Sequence, residues 1–311
     1  MERTTAKKNK YEIDMCNGTI MDKLISFSLP LMLSGILQLM FNAVDIIVVG
    51  RFSGSQALAA VGSTSALINV FTNLFIGISL GANVLTARFY AAGREKEVSE
   101  TVHTAITLAL VSGIVMALVG LVFSKGALAL MGTPDDVIGL SALYMRIYFL
   151  GMPFFMLYNY GAAILRAVGD TKRPLLFLMI AGVINACLNM VLVIVFKLGV
   201  AGVAIATVIS QMISCVLVLR CLCRSESSYR LRFSELGMKG YYLKQIFSVG
   251  IPAGIQSTVI NFSNVLLQSS VNSFGSTAMA GYTAANNLLG FLYVSVNSIT
   301  QACMSFTSQN Y

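Results

Sequence analysis

Long apolar runs alternate with short polar connections along the whole chain. The runs cover Leu24 to Val49, Ala57 to Ala82, Val98 to Phe123, Ile138 to Leu165, Pro174 to Phe196, Val200 to Cys221, Leu243 to Asn272 and Ala278 to Phe306. A helix needs about 20 mostly apolar residues to cross a hydrocarbon core of about 30 Å, and every run reaches that length. Only helices and closed barrels satisfy their own backbone in lipid, and runs this long and unalternating belong to helices. The pattern therefore predicts an all-α, polytopic membrane bundle of eight helices. Glycine and proline punctuate the gaps, at Gly50 to Gly54, Gly132 to Pro134 and Gly169 to Pro174.

The connections divide the chain further. Residues 1–23 form a polar, lysine-rich N-terminal segment, 24–223 hold six spans, 224–242 are the longest polar connection, and 243–311 hold two more. The first run is too long for a signal-peptide core and has no small-residue cleavage site, so it is expected to be retained. A repeat links the two parts. Pro30 is followed 22 residues later by Phe52 and then by Ser53, Gly54 and Ser55; Pro252 is followed 22 residues later by Phe274 and then by Gly275 and Ser276. Thr86 and Tyr90 recur as Thr307 and Tyr311. Duplicated halves are how many secondary transporters are built, which makes 24–223 a six-helix lobe and 243–311 the opening of a second, four helices short of the first.

Composition agrees with the pattern. Hydrophobic residues make up 56% and charged residues 11%, against about 45–50% and about 25% in soluble domains. The net charge of +8 changes the picture only through its placement. Lysine and arginine fall 17 on one set of alternate connections and 3 on the other, with Arg146 inside the fourth span. That bias predicts a cytoplasmic N-terminus in a multi-pass protein of the inner membrane. No basic stripe with interleaved aromatics marks a nucleic-acid partner, and no phosphate-binding loop, dinucleotide fingerprint or HExxH zinc motif occurs. The sequence points away from an enzyme, a nucleotide or an organic cofactor. The six cysteines lack metal-ligand spacing and read as small apolar packers.

Of thirteen acidic residues, twelve lie in termini, connections or helix ends, and Asp45 alone sits inside a span. A carboxylate there is costly, so it has to face protein or a water-filled cavity and either pair or take up a proton. It lies about 7 Å from the outer end of its helix at 1.5 Å per residue. Gln38 and Asn42 share its face, which should turn to the bundle interior. The bland alternatives are a buried polar residue that only glues helices together and an interfacial carboxylate paired with Arg51. Asn185 and Asn189, four apart on the fifth span, are a polar pair able to meet Asp45 or to line a substrate path, with helix-packing hydrogen bonds as the equal alternative. Asn69, Asn73, Tyr158, Asn159, Asn261 and Gln268 are further cavity candidates for which helix-packing hydrogen bonds are the competing reading. Pro30 and Pro252 are candidate hinges. His103, the only histidine, reads as a helix-end residue.

These residues resemble the multidrug and toxic compound extrusion (MATE) family. The resemblance runs from Leu24 onward and is carried by Pro30 with Asp45, Gly50, Gly54 and Leu58-Ala59-Ala60, by Arg166-Ala-Val-Gly-Asp-Thr-Lys-Arg-Pro174, and by the Pro252 and Gly275 repeat. It implies twelve helices in two lobes, a central cavity, and rocker-switch export of small organic, often cationic, compounds by a monomer driven by protons or sodium. The family's first-helix carboxylate maps onto Asp45. Asn185 and Asn189 match an asparagine and an aspartate of its cation-sensing network, so this chain departs from the pattern at Asn189. Members with a second-lobe sodium site often carry a glutamate on the seventh helix, where this span has Gln256, Asn261 and Asn264. The rival readings are a lipid-linked sugar flippase of the same superfamily, a non-transporting membrane protein lacking the rest of the second lobe, and, further off, a membrane enzyme.

Overall fold

The computed structural model describes residues 13, 15, 19–131, 133–272 and 276–310. Helices dominate them: α1 (Ile20–Phe52), α2 (Ser55–Ala91), α3 (Glu95–Leu130), α4 (Asp135–Leu150), α5 (Met152–Ala167), α6 (Lys172–Met190), α7 (Gly199–Arg224), α8 (Gly240–Asn272) and α9 (Ser276–Asn310). Several run past the apolar limits read from sequence. α2 continues to Ala91, because a charged residue marks where the membrane stops and not where a helix must. Acidic residues open α3 (Glu95, Glu97) and α4 (Asp135, Asp136), where they oppose the helix dipole. Among the described residues five helices are long and apolar enough to cross a membrane, and the bent pair α4–α5 makes a sixth.

That bend departs from the single fourth span expected from sequence. α4 and α5 meet at 48° because Pro153 has no N–H to give the carbonyl of Phe149, and its ring crowds that carbonyl. The kink seats Pro153 against α3, where a Cβ on Gly113 would run into the proline backbone. A second irregularity follows α6, whose last turn passes into a π-helical segment, Val191–Val195. By contrast Pro30 and Pro252, the candidate hinges, lie within unbroken helices of 33 residues each.

The connections 88–96, 166–173 and 224–244 gather at one end of the bundle, here termed the basic end. The 225–239 linker is folded there as a strap. Tyr229 and Leu231 are buried, Tyr90 meets Tyr229 edge-on at 6.2 Å, and Lys239 reaches Glu100 at 2.5 Å. Beneath it the Arg166 to Pro174 run closes on itself. Gly169, at φ 91°, turns the chain, and Asp170, fully buried, accepts from the backbone N–H of Arg173 at 3.1 Å and from its guanidinium. Arg173 also donates to Cys221 Sγ at 3.1 Å and bonds to Tyr229.

Two crossings tie α8 and α9 to the first helices. In the α2–α8 crossing Gly77 and Gly81 face Gly250 and Gly254, and a Cβ on any of the four would strike the opposing backbone. Small residues four apart let two helix backbones touch. The α1–α9 crossing is its repeat-related twin. The repeat registers carry Gly250 and Gly254 onto Ser28 and Met32, and Gly77 and Gly81 onto Ser298 and Ala302. Ser28, Ser298 and Ala302 are buried, and Val294 packs over Gly35. Ser305 donates to Asn83 Oδ1 at 3.3 Å, Asn83 to the Ala163 carbonyl at 2.8 Å, and Gln309 to the Ala167 carbonyl at 2.6 Å. Gly77→Ala is expected to cost about 1–3 kcal/mol through overpacking against backbone that cannot yield. Gly62→Ala, inside the same helix with open space around its Cβ, should instead gain up to about 1 kcal/mol of helix propensity and serves as the control in a thermal melt.

Candidate cation site

Asp45 is carried toward the outer end of α1 and is 9% exposed. Asn185 and Asn189 project from α6 at one-turn spacing, 5% and 0% exposed. Asn189 Nδ2 donates to Asp45 Oδ1 and to Asn185 Oδ1, the latter at 3.1 Å. The structure thus brings these three candidates into one cluster. Arg51 stands exposed at the helix end, and no ion pair joins it to Asp45 among the described residues.

Four residues that sequence reasoning missed complete the surroundings. The Thr207 hydroxyl of α7 bonds to the Asp45 carboxyl and lies 3.0 Å from the Val203 carbonyl. Its single hydrogen has two acceptors. When Asp45 is ionised the carboxylate takes it; when Asp45 is protonated, Thr207 returns its hydrogen to Val203 and accepts from the acid. The site satisfies either protonation state without moving a helix. One turn further along α7, Gln211 bonds to Tyr148, which stacks on Tyr144 at 6.2 Å. A Cβ on Gly151 would meet Gln211 Oε1, so this polar ladder runs from Asp45 to the α4–α5 kink. Asn189 Oδ1 and Gln211 Oε1 are buried with no donor from protein. The one-turn spacing of Thr207 and Gln211 was the available signal, but singly placed polar residues on an apolar helix also look like packing glue.

The remaining candidates are scattered. Gln38 and Asn42 are exposed, while Asp45 on the same helix face is covered by its bonds to α6 and α7. Asn69 is exposed and Asn73 half-buried. Tyr158 spends its hydroxyl on the Pro174 carbonyl at 3.2 Å, and Asn159 its amide on Phe155 of its own helix at 2.8 Å, so both act as packing bonds. Asn261 and Gln268 lie outside the residues whose side chains are described. Arg146 is exposed.

Residues 30–191, just over half of the chain, match the family model described as MatE. The chain belongs to the MatE family. The matched stretch contains Pro30, Asp45, Asn185 and Asn189. This MatE chain is 36% identical over 293 residues to the probable multidrug resistance protein YoeA of Bacillus subtilis (strain 168), covering 91% of the chain and 63% of that relative. It is 23% identical to the multidrug export protein MepA of Staphylococcus aureus (strain MRSA252), covering 93% and 64%. It therefore spans a little under two thirds of the length of these relatives. Among solved structures it shares its fold with an outward-facing multidrug resistance MATE family transporter of the MOP superfamily, at a TM-score of 0.89 and 22% identity over 97% of this chain and 67% of that one. A MATE crystal structure in the bent conformation superposes at 0.86 and 23% identity, covering 93% and 65%.

Proposed function

We propose that this protein exports small organic, cationic compounds across the inner membrane in exchange for protons by alternating access, and that Asp45 is the group that carries the proton. The observation behind this reading is the Asp45 cluster, a buried carboxyl whose neighbours accommodate it with and without a proton. The basic end is the cytoplasmic end by the 17 to 3 charge bias. On that orientation the α2–α8 and α1–α9 crossings close the cytoplasmic side, and exposed Gln38 and Asn42 line the outward opening between a first lobe (24–223) and the start of a second (243–311). Sodium in place of the proton is the competing coupling ion, since the same cluster is rich in oxygen ligands.

The test is transport by the purified protein in proteoliposomes. A pH jump that makes the receiving compartment acidic is expected to drive uptake of a fluorescent cation, and a sodium gradient at constant pH is expected to drive none. Sodium-driven uptake with no response to the pH jump would overturn proton coupling. A response to neither gradient would overturn export itself.

A further inference from the structure

The basic end holds a second buried polar constellation that the Asp45 cluster does not use. His103, on the third turn of α3, is 3% exposed. Its Nδ1 lies 2.6 Å from the Ser99 carbonyl oxygen, so it carries a hydrogen and donates. Its Nε2 lies 3.0 Å from the backbone nitrogen of Arg232 in the linker, which donates to it. The two contacts together define a neutral ring with the hydrogen on Nδ1. What reads from sequence as a helix-end residue is thus the peg on which the strap hangs.

The ring is surrounded by charge. Glu235 Oε2 lies 3.9 Å from Nε2, and Arg232, bonded to that carboxylate at 2.8 Å, holds it below the usual carboxylate range. Glu100 and Lys96 face the ring from α3, Lys239 from the linker is bound to Glu100, and Tyr242 at the start of α8 bonds to Glu100 as well. A cavity of about 410 Å³ lined by these α3 and linker groups opens beside the ring, giving protons a route to it.

We propose that His103 is a pH-operated catch on the linker. The neutral ring holds the strap through the Arg232 N–H, and the protonated ring loses that acceptor, pairs with Glu235 and frees the backbone at Arg232, while Leu231 stays buried and bonded to the Leu222 carbonyl. A hydrogen on Nε2 points at the Arg232 N–H, so the two cannot share the position. The exchange is local, because Tyr229 and the Lys239–Glu100 pair remain as anchors on either side. The catch depends neither on export nor on the orientation proposed above.

Hydrogen–deuterium exchange of the chain in lipid nanodiscs from pH 5.5 to 8, corrected for intrinsic exchange, tests this. Protection of the peptide containing Arg232 is expected to fall about tenfold on acidification, the size of one lost hydrogen bond at a buried group. His103→Gln offers an N–H to Ser99 and an oxygen to Arg232 and does not titrate, so its protection should be flat with pH. Glu235→Gln, on an exposed side chain, removes the waiting ion pair and should move the transition to lower pH. A wild-type profile without a transition, or a transition unmoved in Glu235→Gln, overturns the proposal whether or not His103→Gln folds.

Discussion

Asp45→Asn is expected to leave the bundle folded while abolishing proton-driven export. The amide oxygen still accepts from Asn189, and the new amide nitrogen can donate to the Thr207 hydroxyl as the protonated acid does. With the cluster's hydrogen bonds kept, the variant should be about as stable as its parent. What it lacks is a proton to release. A one-for-one exchange of a proton for a monovalent cation moves no net charge, so its drive is the pH difference, about 1.4 kcal/mol or about tenfold in sustained concentration ratio per pH unit. In proteoliposomes the variant should collapse the accumulated ratio of a fluorescent monovalent cation by about that factor per pH unit and lose its response to pH. Export that persists undiminished with an unaltered melting temperature would remove Asp45 from the mechanism.

The largest loss of stability is expected from Asp170→Ala. Asp170 is fully buried, and the Arg173 side chain it serves is 16% exposed. Deleting the carboxylate strands that guanidinium, and breaking a buried pair from one side typically costs about 3–5 kcal/mol. The same change removes the acceptor for the Arg173 backbone N–H at the start of α6. Asp170→Asn should fall between, since it keeps an acceptor and loses the charge. Asp170→Ala combined with Arg173→Leu should recover much of the loss, because no charge is then stranded. With no tryptophan in the chain, a thiol-reactive dye reporting exposure of buried Cys215 is a suitable thermal probe.

Much of this was legible beforehand, and the exceptions share a cause. The spans were readable because lipid imposes a length and a polarity on any helix that crosses it. Asp45 stood out because a lone acid in such a helix is costly, and the Asn185–Asn189 pair because one-turn spacing fixes a shared face. Thr207, Gln211 and Tyr148 escaped notice because nothing in one helix's sequence states which neighbour it will meet. Periodicity puts Gln38, Asn42 and Asp45 on one face, and only packing tells that the face is covered at Asp45 and open at the other two. The α4–α5 break had its signal in Gly151 and Pro153, but a bent span and a straight one have the same hydropathy. The linker's polar composition marks only a connection, and the buried Tyr229, Leu231 and Tyr242 that pin it down carry no periodic pattern.

The paired crossings at the basic end carry a consequence for how the sequence can drift. Between α2 and α8 backbone lies on backbone, so each of four positions is restricted to hydrogen as a side chain and every added carbon is felt at once. Between α1 and α9 the matched positions are Ser28, Met32, Ser298 and Ala302, none of them glycine, and Gly35 beside them meets a side chain, Val294, and not backbone. Random substitution should therefore leave the first joint nearly invariant while the second explores, so two matched contacts age at different rates within a single molecule.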